Sequence, residues 1–386
     1  MSPRQRDPSR SPLVRYLVVG ITCLYVFVGV FVLDSTILLD ETSTDAASSA
    51  MRPAAHFVAT HDDAASSSDP CVDTVAIVGY VPHSRPEYIA QVNHMLFASW
   101  NYTTHRVPIA QRNRTDLLLF AHWSVLDAMP SACTRLTNLS APGLVTRMHE
   151  APTDGCYVIE HSPPRNDFWN LNTFMHSLAF MTYDAYRPIL TSYNRLMRTD
   201  VDCAITPAFL TYRPDHFVVG KGGYMFEQTK PELLQVASEL QMTHQGLHNI
   251  GSTWFGNATL ILDMMPRLLE VAKYILHHEV HRMDKGWPLW HIPVLSMYAG
   301  EITINHFIPK ANLVINNATI DVNAIGDDDV ASIYHIHCWP DAYREDQYFD
   351  KWAFKNGAYT AAKFPRPSLN ISSVRDYMMA MVLYGE

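Results

Sequence analysis

Cysteine, charge and basic residues are all scarce in this sequence. Six cysteines in 386 residues, with no Cys-x-x-Cys pair, are too few for a disulfide-built scaffold. Charged residues make up 17% against 48% hydrophobic, so most of the chain is not disordered. Acidic residues outnumber basic ones 38 to 29, a net charge of −9, which argues against a nucleic-acid partner. Familiar catalytic motifs are missing as well. Gly220-Lys221-Gly222-Gly223 lacks the spacing of a phosphate-binding P-loop, and His277-His278-Glu279-Val280-His281 lacks the His-Glu-x-x-His spacing of zinc proteases. Those histidines read as helix C-terminal residues, where positive charge is favourable. No Gly-x-Ser-x-Gly elbow and no internal repeat occur.

One long apolar run is present. Residues 16–33, YLVVGITCLYVFVGVFVL, contain no charge over 18 residues, the short end of a membrane-spanning helix. Arg4, Arg6, Arg10 and Arg15 precede it, and Asp34, Asp40, Glu41 and Asp45 follow, so the bias of positive charge places residues 1–15 in the cytosol and the rest in the lumen. The run ends without a small-residue cleavage site, which favours an uncleaved anchor over a signal peptide. Residues 34–70 turn to Ala, Ser, Thr and Asp without apolar period, a flexible stem. Residues 71–386 form the lumenal domain. Sequons at Asn101, Asn113, Asn138, Asn257, Asn317 and Asn370 agree with that placement. Of the lumenal cysteines, Cys71, Cys133, Cys156, Cys203 and Cys338, four are expected to pair in two disulfides and one to stay free.

The lumenal domain alternates strand and helix patterns. Thr74–Val81, residues 116–120, Cys156–Glu160, Arg195–Thr199, residues 217–219, residues 300–308 and residues 332–339 read as strands. Residues 87–100, 167–183 and 258–278 carry apolar residues at helical spacing, with Pro266 expected to kink or split the last. Thr229 opens a capping box for a further helix to about Leu240. This predicts an α/β sandwich with a mainly parallel sheet.

Ligands in such sheets sit at the carboxyl ends of strands. Asp200-Val201-Asp202 lies at one, where two carboxylates can meet a divalent cation that holds a diphosphate, although an ordinary acidic strand end looks the same. Asp327-Asp328-Asp329 reads as a solvated loop. On a strand His335 and His337 share a face and either can complete a metal site; a hydrogen-bonded pair in a sheet is the rival. Residues 249–256 (NIGSTWFG) suit a close approach to a sugar, with Gly251 and Ser252 beside it and Trp254 as a stacking surface; a turn with a core Trp fits equally. Glu301 and His306 are candidate acid/base groups.

The ordered set RTDVDCAITP, GKGGY, NIGSTWFG, YAGEITINH and YHIHCW, spread over residues 167–359, resembles an uncharacterised eukaryotic family of glycosyltransferase-like proteins. The resemblance implies a GT-A-like (Rossmann-like) nucleotide-diphospho-sugar transferase fold. It assigns Asp200 and Asp202 to Mn²⁺ (or Mg²⁺) and the donor diphosphate, and a late histidine, His337 before His335, to the metal. Glu301 is the candidate base by its position after an apolar run. The resulting expectation is a type II, single-pass Golgi or ER glycosyltransferase with a nucleotide-sugar donor and a glycan, glycoprotein or glycolipid acceptor. A lumenal carbohydrate-binding scaffold on a decayed transferase fold, or a metal-dependent hydrolase, are the alternatives.

Overall fold

The computed structural model describes residues 73–384 apart from 84, 164–166, 172–174, 317 and 340–348. Its first strand, β1 (Thr74–Val81), is buried on both faces: Val75 and Ile77 join one core, Ala76, Val78 and Tyr80 another. A strand apolar on both sides needs cover on both, the usual state of a parallel sheet between helices. α1 (Pro86–Gln91), a π-helical turn (Val92–Phe97) and α2 (Ala98–Arg106) then follow one another without interruption. The chain continues through β2 (Arg114–Ala121), β3 (Thr134–Leu136), α3 (Leu144–Glu150), β4 (Cys156–Glu160), α4 (His176–Ala179), α5 (Arg187–Leu190), β5 (Arg195–Thr199), β6 (Cys203–Ile205), β7 (Phe217–Lys221), α6 (Lys230–Glu239), β8 (Ile250–Asn257), α7 (Ala258–His277), α8 (Leu295–Phe307), β9 (Leu313–Ile315), β10 (Val322–Asn323), β11 (His335–His337), α9 (Lys351–Lys355) and α10 (Val374–Tyr384).

The main sheet has the order β3-β4-β2-β1-β5-β8-β7-β9. Only β8 runs against its neighbours β5 and β7; the other pairings are parallel. Its two faces carry separate cores. One includes Leu118, Phe120 and the apolar stripe of α7; the other includes Leu117, Leu119 and Val92, Leu96 and Trp100 of the first helical stretch. A smaller sheet, β10-β11-β6, packs with α10 around a third core. All described residues fall within one unit, 69–386.

Several expectations change. The expected strand at 300–308 is instead the second half of α8, which ends at Phe307. Residues 298–305 are all buried, so no polar face marks a helical period there, and the alternation of Ile with polar residues imitates a strand. Residues 250–257 form β8 rather than a turn. α7 passes through Pro266 unbroken, with that residue on the exposed side, where the carbonyl it frees can meet water. The pattern at 167–183 resolves into a 3-10 turn (Phe168–Leu171), α4 and a further 3-10 turn (Phe180–Thr182). Thr229 does not cap α6; its hydroxyl donates to the carbonyls of Pro288 and Leu289. Among the described residues there is one disulfide, Cys133–Cys156, while Cys203 and Cys338 are buried free thiols; Cys71 lies outside them. No described helix is long and apolar enough to cross a membrane, and the expected anchor and stem lie outside the described residues.

Candidate active site

β1 and β5 lie side by side and parallel, and the segments leaving their carboxyl ends enclose a cleft of about 330 Å³. Tyr80 and Arg85 line it from the β1 side, and Arg198, Asp200 and Asp202 from the β5 side. Met297 of α8 and Lys351 and Lys355 of α9 close it. The position follows from the sheet: parallel strands end together, and side chains beyond those ends face one common space.

Asp200 Oδ1 pairs with Arg198 Nη2 at 2.9 Å. Arg198 is itself buried and anchored, donating to Ser252 O at 2.5 Å and to Ser177 Oγ at 2.7 Å. Asp202 is deeper. Its Oδ2 lies 2.6 Å from Lys351 Nζ and its Oδ1 3.6 Å from His337 Nε2. On its other side the His337 ring faces Asp321, with Nδ1 3.6 Å from Oδ1. Asp321 Oδ1 also accepts from Thr253 Oγ1 at 2.6 Å and lies 3.1 Å from His335 Nδ1. His335 Nε2 meets Thr199 Oγ1 at 2.8 Å, which closes the network on the last residue of β5.

Burial alone would push the Asp202 and Asp321 carboxyls up, but their hydrogen-bonding and charged neighbours win. Lys351 and His337 hold Asp202 well below the usual carboxylate range, and His335 and His337 do the same for Asp321. Burial would lower His337, yet Asp202 and Asp321 together push it up to about 10. Burial, followed by the Asp202, Asp200 and Asp321 charges, raises the neighbouring Cys203 thiol, so it is not poised as a thiolate.

Two glycines make the network possible. A Cβ on Gly220 of β7 would collide with the Asp321 carboxylate, and one on Gly251 of β8 would come within 2.7 Å of Gly220 O and 2.8 Å of Asp321 Oδ2. Asp321 itself has φ of 55°, an uncommon left-handed conformation for a residue other than glycine. The space a side chain at Gly251 would fill is taken by β7 and Asp321, not left open to a sugar.

A family model described as "Domain of unknown function (DUF7164)" matches residues 70–384. The chain belongs to that family. No curated protein matches it. The matched DUF7164 region contains both sheets and every residue of the cleft named above.

Of the residues singled out in the sequence, the DUF7164 domain brings Asp200, Asp202 and Ser252 to the cleft, with His337 against Asp202. His335 is fully buried behind His337 with both nitrogens engaged, so it does not reach Asp202. Trp254 is a core residue, 2% exposed, with its Nε1 donating to Gly251 O; it offers no stacking surface. Glu301 is fully buried and does not line the cleft. Its Oε2 accepts from Tyr224 Oη at 2.7 Å and Asn249 N at 2.8 Å, and its Oε1 lies 2.7 Å from His248 Nδ1. An α8 helix in place of a strand is what turns Glu301 inward. His306, near the end of α8, accepts from Thr243 N. Asp327 pairs with Arg375 on the surface, and Asp329 caps a 3-10 turn. Sequence reasoning missed Lys351, Arg198 and Asp321. Arg198 could have been found, because it sits on β5 two residues before Asp200. Lys351 and Asp321 carried no local signal.

Proposed function

We propose that the chain is a GT-A-like glycosyltransferase that uses a nucleotide-diphosphate sugar. The observation that carries this reading is the pairing of Asp202 with His337, 3.6 Å apart, beside a cleft at the carboxyl end of a mixed, mainly parallel sheet. Asp202 and His337 offer an oxygen and a nitrogen donor to a divalent cation such as Mn²⁺ or Mg²⁺, and Asp200 offers a second carboxylate at the cleft surface. The donor set fits such an ion on two conditions: Lys351 must leave Asp202 Oδ2 and His337 must give up its proton. A bound ion would neutralise charge on the departing diphosphate. Arg198 is locked in place by Ser177 and Ser252 and holds Asp200 by one carboxylate oxygen. Lys355 pairs with Glu87 at the cleft mouth, and Lys351, once released, can reach a phosphate. Glu301 is not retained as the base, because its carboxylate is committed to Tyr224, His248 and Asn249. Glu87, which lines the cleft, is the carboxylate left for that role.

A second reading draws on the 2.6 Å contact between Lys351 and Asp202. Lys351 stands where a cation is needed, so the chain can supply that positive charge itself and bind a diphosphate without metal. The proposal includes a type II membrane placement in the Golgi or ER, which rests on residues 1–70, and a glycan, glycoprotein or glycolipid acceptor.

The deciding experiment incubates the full-length protein with UDP- and GDP-sugars and mixed glycan acceptors, with Mn²⁺ or with a chelator. Acceptor-dependent transfer that requires Mn²⁺ supports the first form, and transfer that survives the chelator supports the second. Release of sugar without any acceptor would make it a hydrolase. No nucleotide binding under either condition would leave a carbohydrate-binding scaffold.

A further inference from the structure

A second group of donor side chains lies where the C-terminal ends of α6 and α7 meet the segment after α7. His281 is fully buried there, and carboxylates face both of its ring nitrogens: Glu232 Oε1 is 2.8 Å from Nδ1 and Glu239 Oε2 is 2.6 Å from Nε2. An ionised carboxylate only accepts, so both nitrogens donate. Lys285 Nζ holds Glu232 at 2.8 Å, and Tyr274 Oη donates to Glu239 Oε2 at 2.9 Å. The His278 ring lies against His281 with centroids 4.4 Å apart. Its Nδ1 is buried and has no hydrogen-bond partner among the described residues. One donor atom from each of Glu239, His278 and His281 lies within 4.8 Å of the other two.

We propose that Glu239, His278 and His281 form a binding site for a divalent transition-metal ion, zinc by its donor set, separate from the cleft. Two imidazoles and one carboxylate are a ligand set that zinc takes, leaving a fourth position for water. The His278 Nδ1 is buried without a hydrogen-bond partner among the described residues, which leaves its lone pair available to an ion. His281 is already oriented as metal-bound histidines are, with Nδ1–H donated to a carboxylate so that Nε2 faces the ion. The balance is simple. The ion takes the place of the proton on His281 Nε2, that proton goes to solvent, and the Nδ1–H bond to Glu232 is kept. The two rings are tilted by 29°, so His278 must turn to aim Nδ1 at the gap between Glu239 and His281. The Glu239 side chain, 29% exposed, opens a path from solvent. The ion would fasten the last residue of α6 to the residues just beyond α7.

The test uses full-length protein carrying Asp202→Asn, so that the cleft loses its central carboxylate, stripped with chelator and titrated with Zn²⁺. Equilibrium dialysis with metal analysis should find one zinc per chain, and the melting temperature should rise with added zinc. Glu239→Gln and His278→Ala, each made in the same background, should weaken zinc binding about 10-fold or more and remove the thermal shift. Circular dichroism of the stripped variants checks that each still folds, and one folded variant is enough to decide. Binding as tight as in the parent would overturn the proposal. So would the absence of bound zinc in the Asp202→Asn protein, whether or not the unmodified chain binds it.

Discussion

Lys351 Nζ lies 2.6 Å from Asp202 Oδ2, while the other oxygen of the same carboxylate faces His337. Two cations thus share one acidic side chain at the floor of the cleft. Any added metal must displace one and deprotonate the other.

Lys351→Met separates the two forms of the proposed function. If a metal binds Asp202, removing its competitor should tighten Mn²⁺ binding by about 10-fold or more, since the desolvated pair no longer has to be broken. If Lys351 itself holds the diphosphate, the same substitution should abolish nucleotide binding, with or without Mn²⁺. Calorimetric titrations with Mn²⁺ and then with UDP or GDP distinguish them. A variant indistinguishable from the parent in both titrations would remove Lys351 from the site.

His337 should show an unusual pH dependence in chelated protein. Its folded value is raised to about 10 from an ordinary 6.5, with Asp202 and Asp321 as the cause acting against burial. The stability it contributes is therefore full below about pH 6.5 and is lost as pH rises toward 10. The same carboxylates have depressed values, so their share is present at neutral pH and is lost only on acidification below the usual carboxylate range. Denaturant midpoints of the parent and His337→Gln should differ most near pH 6 and converge by about pH 10. A gap that is constant across that range would mean that His337 is neutral between its two carboxylates. Because a ligating imidazole must be deprotonated, metal affinity should climb with pH well beyond the free imidazole range.

Gly251→Ala should destabilise the domain by about 1–3 kcal/mol, the cost of forcing a methyl group into closely packed surroundings. The clash falls on Gly220 O and the Asp321 carboxylate, so His335 and His337 should shift with it. Urea unfolding gives the stability, and the His337 titration reports the network. Gly223→Ala is the control, because nothing lies within 4 Å of the Cβ it would add. Equal stability of the two variants would mean that β7 and β8 are looser than the structure has them.

In a lumenal setting the sequons should sort by exposure. Asn138, Asn257 and Asn370 are exposed, while Asn113 is fully buried at the start of β2, one of the inner strands. Mass spectrometry of protein from a secretory host should find glycans at some of the exposed sites and none at Asn113. The Cys133–Cys156 bond should be intact in the same sample, and its loss through a double Ala substitution should cost about 3 kcal/mol. A glycan on Asn113 would contradict the buried position of β2.

Several inner strands of the sheet were legible because burial on both faces favours short, mostly apolar runs. Thr74–Val81, Cys156–Glu160 and Arg195–Thr199 were read with the bounds they have. α7 was legible for the complementary reason: Ile261, Met264, Met265, Leu268, Ala272 and Ile275 line one face, with polar residues opposite. The end of β5 at Asp200 followed from the same run. α8 was misread because burial on all sides erases helical periodicity, and β8 was hidden by its Gly, Ser and Thr residues.

Local pattern, then, determined the mostly parallel α/β class, the strand that delivers Asp200 and Asp202, and a histidine pair on β11. Tertiary structure alone decided which histidine meets Asp202, that Glu301 turns into the core, and that Trp254 is packing. It also decided that Asp321 and Lys351, 119 and 149 residues beyond Asp202, complete the site. Periodicity reports which side of an element is buried, but not what lies across from it. The partners of Asp202 arrive from distant segments, and only the crossing of β6 with β11 and the return of α9 over the cleft bring their charges within reach.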